Sequence, residues 1–292
     1  MRSLLFVPGD SERKLARSLS CGADILLIDL EDSVASAAKP TARGLSAEFI
    51  RAHLSLETRP RLYIRINSLD TAFWEQDLEQ VMPAAPEGVL LPKARSGEDV
   101  HQLSIALASA ESRSGLTHGA TRILALTTEV PGSLLHMGSY VGQSSRLDGL
   151  TWGAEDLAAQ IGSLSNRTPD GQYTSPYRLV RDLCLITAAA AGAAAIDSVY
   201  VNFRDPDGLR REAEEAARDG FTAKMAIHPD QVAIINEVFT PSPAEIARAE
   251  RIVGAFAAAG DAGVVSLDGI MLDRPHLTLA RRTLKRAGRS LV

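Results

Sequence analysis

The chain has 292 residues, a net charge of −5, 45% apolar residues and only 5% aromatics. Acids and bases are mixed along it, so it has neither the basic stripe nor the stacking rings of a nucleic-acid surface. The longest apolar stretch, "LCLITAAAAGAAAI" (183–196), is Ala-rich and well under the roughly 20 residues of a membrane span. The N-terminal apolar run is too short for a signal peptide. Cys21 and Cys184 have neither disulfide nor zinc spacing and read as small buried hydrophobes. A cytoplasmic enzyme-sized chain is expected, of a length usual for one α/β barrel.

Short β-rich runs recur along the chain: 3–7, 24–30, 61–66, 88–92, 122–129, 147–153, 195–201 and 222–227. They are nearly continuous in apolar residues rather than alternating, as parallel strands covered on both faces must be. Helix-prone stretches lie between them. "PDGLRREAEEAARDG", for example, starts at Asp207 and Gly208 and closes on Gly220. Residues 163–177 are polar, with Gly and Pro, and read as a long loop. Eight such units predict a (β/α)8 TIM barrel over 1–240, with a doubly wound open sheet as the alternative. Residues 241–292 fall outside the count. They predict a C-terminal extension of helix, short hairpin and helix, packed on its own barrel or on a neighbour's.

In a barrel of this kind the chemistry gathers where the strands end. Strand two ends in Asp29, Glu31 and Asp32, strand three carries Arg65 and Asn67, and strand four ends in Lys93. Strand five ends in Glu129, and strand six runs into Glu155 and Asp156. Strand seven leads to Asn202 and Asp205, strand eight to His228 and Pro229. Crowded carboxylates repel, so either a pKa rises or a cation binds. A magnesium ion, which takes oxygen ligands and commonly one or two carboxylates, suits such a rim. Glu129 and Asp156 end adjacent strands and form the best pair. Their structural alternatives are a strand-end salt bridge and a first-turn helix acid. Arg65, inside "YIRIN", either clamps a substrate carboxylate, pairs with Glu31 or Asp32, or does both. His228 reads as a structural histidine at the turn before Pro229. No Ser-His-Asp or Cys-His arrangement, Gly-rich phosphate loop or zinc-spaced histidine pair is present.

Taken in order, "RSLLFVPGD", "ADILLIDLEDSV", "IRIN", "LLPKA", "WGAEDL", "AIDSVYVNFRDPDGL" and "KMAIHPDQVAIIN" resemble the citrate lyase β-subunit and malyl-CoA lyase group. The resemblance runs from residue 2 to about 285. It implies a magnesium-dependent barrel enzyme that cleaves or forms a carbon–carbon bond between an acyl-CoA and a 2-oxo acid. By position, Glu129 and Asp156 match the group's metal ligands. Arg65 matches its substrate-carboxylate arginine, and Glu31 and Asp32 match acids that hold metal-bound water. "GIMLDRPHLTLA" resembles the tail laid over a neighbouring subunit's site, where Asp273 matches an acid proposed for proton transfer. That implies a homo-oligomer, a trimer or a hexamer. Arg13 and Lys14, just after "PGDS", are candidates for the CoA phosphates, as is Lys93. One departure stands out: Glu129 lies in "TTEVPG" rather than Ile-Glu-Thr, which bears on the pocket more than on the chemistry. Three other activities stay open: a malyl-CoA-type thioesterase, an aldolase on free oxo acids, and the β-subunit of a carrier-dependent citrate lyase complex. The oxo acid itself (glyoxylate, pyruvate or oxaloacetate) is undetermined.

Overall fold

Every predicted apolar run forms a strand: β1 (Ser3–Pro8), β2 (Ile25–Asp29), β3 (Arg61–Arg65), β4 (Gly88–Leu91), β5 (Arg122–Leu126), β6 (Leu147–Thr151), β7 (Ala194–Asp197) and β8 (Ala223–Ala226). In the computed structural model, which describes residues 1–260 and 262–289, they close in sequence order into an all-parallel barrel. Ile25 and Leu27 share one face of β2, because successive side chains alternate. They pack inside with Leu4, Tyr63, Leu90, Leu124, Leu126, Ile196 and Met225. Leu26 and Ile28 on the opposite face are equally buried. This double burial is why the strands read as unbroken apolar runs.

The connections are α1 (Glu12–Ser18), α2 (Lys39–His53), α3 (Phe73–Val81), α4 (Gly97–Arg113), α5 (Glu155–Ile161), α6 (Ser175–Ala191), α7 (Pro206–Asp219) and α8 (Pro229–Val238). Between β5 and β6 a 3₁₀ segment, Pro131–Tyr140, stands in place of a helix. α7 begins slightly earlier than the sequence predicts, because Asp205 caps it by accepting the Gly208 N–H at 2.9 Å. Gly220 closes it at φ +118°. In the polar loop before α6, Arg167 and Tyr173 are bridged, with the guanidinium 3.8 Å from the ring centre. Buried ion pairs lock elements together. Lys224 of β8 reaches Asp197 of β7 (2.6 Å) and Glu212 of α7 (2.8 Å). Glu111 of α4 holds Arg146, just before β6, at 2.6 Å.

Three sequence runs overshoot their strands by two residues or more: β5 stops at Leu126, β6 at Thr151 and β7 at Asp197. After β5 the threonine hydroxyls replace the ladder. Thr127 Oγ1 donates to Thr151 O (3.1 Å), and Thr128 Oγ1 accepts the Gly153 N–H (3.1 Å). The apolar signal thus runs on into the rim while the regular pairing ends.

The chain divides into two compact units, Met1–Asn236 and Glu237–Val292. The second contains α9 (Pro243–Ala258), an antiparallel hairpin of β9 (Val264–Leu267) and β10 (Ile270–Asp273), and α10 (Arg274–Arg286). Asp268 and Gly269 both have positive φ, the backbone a tight two-residue hairpin demands. Ile252, Phe256, Leu272, Leu277 and Leu284 form this unit's own core. Among the described residues no helix is long and apolar enough to cross a membrane. Cys184 is buried, whereas Cys21 is only partly so.

Candidate active site at the barrel mouth

Period-two alternation carries Asp29 onto the same face of β2 as Ile25 and Leu27, and β3 is registered so that Asp29 lies opposite Arg65. The two form a bidentate pair: Nε to Oδ1 at 2.7 Å and Nη2 to Oδ2 at 2.6 Å. Asp29 also accepts the backbone N–H groups of Glu31 (2.9 Å) and Ser33 (3.1 Å). Burial pushes its carboxyl up, but the Arg65 hydrogen bonds and charge outweigh this and hold it below its ordinary value. The loop after β2 is braced from the far side by Lys39, whose ammonium donates to the carbonyls of Leu30 (2.8 Å) and Glu31 (2.9 Å). Asn67 donates to Leu30 O as well. Gly9 passes so close to this loop that a Cβ there would sit 2.8 Å from Asp29 O.

The remaining Arg65 nitrogen, Nη1, faces Glu31 Oε2 at 2.9 Å and Asp32 at 3.6 Å. Lys93 closes the group from β4: its ammonium contacts Glu31 Oε1 and lies 3.2 Å from Asp32 Oδ1. Burial pushes the Glu31 carboxyl up to about 7 against the pull of Arg65 and Lys93. Lys93 is itself raised, since Glu31 and Asp32 outweigh the effect of burial.

Glu129 lies just past the end of β5, 2% exposed. Its Oε2 accepts the Lys93 backbone N–H at 2.6 Å. A Cβ on Gly153 would stand 2.9 Å from its Cγ and 3.5 Å from Oε1, so only glycine leaves the carboxylate room. Burial, then the charges of Asp156 and Glu31, raise Glu129 well above an ordinary carboxyl. Asp156 stands in the first turn of α5 and is partly exposed. Among the described residues neither Glu129 nor Asp156 forms an ion pair with a cationic side chain, and no three His, Cys, Asp or Glu residues gather as a complete metal cage. Two carboxylates lacking a counter-ion fit a hard divalent ion that keeps most of its waters.

The structure thus gathers Glu31, Asp32, Arg65, Lys93, Glu129 and Asp156 at one mouth. Among the described residues Arg13 and Lys14 form no ion pair with these acids. With Arg17, Phe6 and His228 they line a cavity of about 420 Å³. His228 stacks on Phe203 (4.9 Å between ring centres) and caps a turn through the Asp230 N–H. Asp273 belongs to the second unit, where it precedes α10 with its carboxylate 2.6 Å from His276 Nδ1. Sequence reasoning turns the strand-two acids toward Arg65 but names only Glu31 and Asp32 as its partners, whereas the bidentate pair is made by Asp29. Its position two residues after Leu27 was the signal that it points into the barrel. Lys39 left no comparable mark, since a helical lysine reads as solvated.

The model of the HpcH/HpaI aldolase/citrate lyase family matches residues 2–229. The chain is 34% identical over 293 residues to the mitochondrial citramalyl-CoA lyase of Rattus norvegicus, covering 96% of this chain and 84% of that one. It is 33% identical over 298 residues to a (3S)-malyl-CoA thioesterase of Cereibacter sphaeroides, covering 98% and 94%. Among solved structures, CitE from Mycobacterium tuberculosis in complex with magnesium, acetoacetate and coenzyme A superposes with a TM-score of 0.78 at 33% identity, over 99% of this chain and 98% of that one. With the ordered motifs, the closed barrel and the acid-lined mouth, these matches show that the chain belongs to the HpcH/HpaI aldolase/citrate lyase family.

Proposed function

We propose that the protein is a magnesium-dependent carbon–carbon lyase that cleaves, or forms, the bond between an acyl-CoA and a 2-oxo acid. The observation that carries this reading is the Glu129–Asp156 pair: a buried carboxylate without a cationic partner, beside a second one, at the mouth of the barrel. The magnesium, acetoacetate and coenzyme A bound to the Mycobacterium tuberculosis relative support the same reading. Magnesium held by Glu129 and Asp156 would supply Lewis-acid polarisation of the oxo-acid oxygens.

The chain's own residues supply the rest. The Lys93 N–H and the bare Cα of Gly153 fix where Glu129 points. Asp29 occupies the Nε–Nη2 edge of Arg65, so the edge bearing Nη1 is the one that would meet a substrate carboxylate. Held by Asp29, that guanidinium is oriented in advance, which lowers the entropic cost of lining up the substrate. Glu31 and Asp32 face the same space as acceptors for water. In the cleavage direction the hydroxyl proton passes to a water held by Glu31 and Asp32, the hydroxyl oxygen becomes the oxo-acid carbonyl as the carbon–carbon bond breaks, and the electron pair of that bond passes to the thioester as an enolate that must be protonated. Asp273 of a neighbouring chain is the acid we assign to that step, with the second unit laid over the neighbour's barrel in a trimer or hexamer. Arg13 and Lys14, on the wall of the adjoining cavity, would meet the CoA phosphates.

A second reading is a thioesterase, favoured by the Cereibacter sphaeroides relative. The two are separated by giving the purified protein malyl-CoA, citramalyl-CoA and citryl-CoA, with magnesium or with a chelator, and following oxo acid and free thiol separately. Oxo acid without thiol, abolished by chelator, is the expected result, and the best substrate defines the pocket. Thiol without oxo acid would replace the lyase by a thioesterase. Silence on all three would move the assignment to a free-acid aldolase or a carrier-bound complex.

A further inference from the structure

Among the described residues, Lys93 is the one that touches both Glu129 and the Glu31–Asp32 pair. Its backbone N–H binds Glu129 at 2.6 Å, while its ammonium lies between Glu31 and Asp32. It reaches both because its backbone is left-handed, at φ +49°. That conformation is uncommon outside glycine and costs on the order of 1 kcal/mol or more. The bond to Glu129 does not call for lysine: any residue but proline would present the N–H. The ammonium is the specific part. Five carboxylates (Asp29, Glu31, Asp32, Glu129 and Asp156) gather at this mouth, and among the described residues the side-chain cations paired with their oxygens are Arg65, whose bidentate edge Asp29 takes, and Lys93, while the Lys39 ammonium meets the loop through backbone carbonyls.

We propose that Lys93 is the built-in counter-ion of the acid cluster: its ammonium neutralises Glu31 and Asp32 when no metal is bound, and thereby limits how tightly the cluster binds a divalent cation. This rests on the reading of Glu129 and Asp156 as the magnesium ligands. Lys93 is a positioning residue here. It keeps the like-charged acids assembled before the ion binds, so that the ion enters a preformed site. Two cations drawn to the same negative charge oppose each other, and that opposition is reciprocal. Removing the ammonium must therefore weaken the metal-free protein and strengthen metal binding. A purely structural lysine predicts the opposite for the metal, because a loosened site binds it less well.

The test is titration calorimetry with magnesium chloride at fixed pH and ionic strength, paired with thermal unfolding with and without the ion. Lys93→Met removes the charge and keeps the bulk. Lys93→Gly also removes the charge but suits the left-handed backbone and retains the N–H to Glu129, so it remains informative should the methionine variant fail to fold. Lys93→Arg keeps the charge. Both neutral variants should bind magnesium about fivefold or more tightly, within the usual range for coupled sites. They should melt lower without the ion and gain more from adding it than the wild type does, while the arginine variant stays near wild type. Unchanged or weaker binding by Lys93→Gly would overturn the inference. Glu129→Gln is the control for the reading beneath it. If the wild type binds magnesium and this variant binds it equally well, the ligand assignment fails. If Glu129→Gln abolishes binding but Lys93→Gly does not tighten it, only the counter-ion role fails.

Discussion

Gly153 and Arg65 show how much of this site is decided by single atoms. The Glu129 carboxylate occupies space that any Cβ at position 153 would invade. Gly153→Ala should therefore leave the barrel folded, by circular dichroism, yet weaken magnesium binding by tenfold or more, on the order of 1.4 kcal/mol. Arg65→Lys keeps a cation but lacks the fork that meets Asp29 through two parallel bonds. It should raise the KM for the oxo acid in the synthesis direction, with magnesium affinity little altered. An unchanged KM would remove Arg65 from substrate recognition. These residues differ in how visible they were in the sequence. Arg65 stood out as a charge inside an apolar strand, and Glu129 and Asp156 as acids ending neighbouring strands. Lys93 was visible as a basic residue after β4 and a candidate for the CoA phosphates. Its attachment to Glu31 and Asp32 depends on a left-handed backbone that the "LPKA" sequence does not announce.

At the scale of elements, the strands are legible because burial on both faces leaves nothing but apolar residues to choose from. Their ends are not, because "ALTTE" and "LTWG" stay apolar or β-branched after the ladder has given way to hydroxyl bonds. The buried pairs between elements were equally hidden. Glu111 and Arg146 are separated by 35 residues and become partners only once β5 lies between α4 and β6. Burial opposes the ionised Glu111. Hydrogen bonds from Arg146 and from the backbone N–H groups of Thr121 and Gly119 nevertheless bring its pKa down to about 2. A folded-state value below the unfolded one means stability that is fully present above about 4.3 and is lost as pH falls toward 2. Glu111→Gln should destabilise the fold by about 3–5 kcal/mol at neutral pH, because it strands a buried arginine. It should also flatten the acid limb of the stability–pH curve. Denaturant unfolding across that window checks both, and a parallel acid limb in the variant would show that Glu111 is not its source.

On the scale of the whole molecule, the second unit has its own core and its own hairpin, and it carries the acid assigned to proton transfer. Its helix–hairpin–helix pattern was readable from "SLDGIM", where Asp-Gly specifies the turn. Which barrel it serves was not, because a single chain's sequence holds no record of its neighbours. If Asp273 acts on the adjacent subunit, Asp273→Asn and Asp156→Ala chains are each inactive alone. Coexpressed, they should recover activity approaching about a quarter of wild type, from sites that draw one intact residue from each chain. Activity no greater than the sum of the separate variants would place Asp273 in its own subunit or outside the chemistry.

The proposed lyase activity requires magnesium held by Glu129 and Asp156, and titration of magnesium chloride into the wild type and Asp156→Ala tests that requirement most directly. The wild type should bind one ion per chain. Asp156→Ala should bind none while keeping its circular dichroism spectrum and its cooperative unfolding. Equal binding by the two proteins would contradict the metal assignment, and with it the lyase mechanism built on that ion.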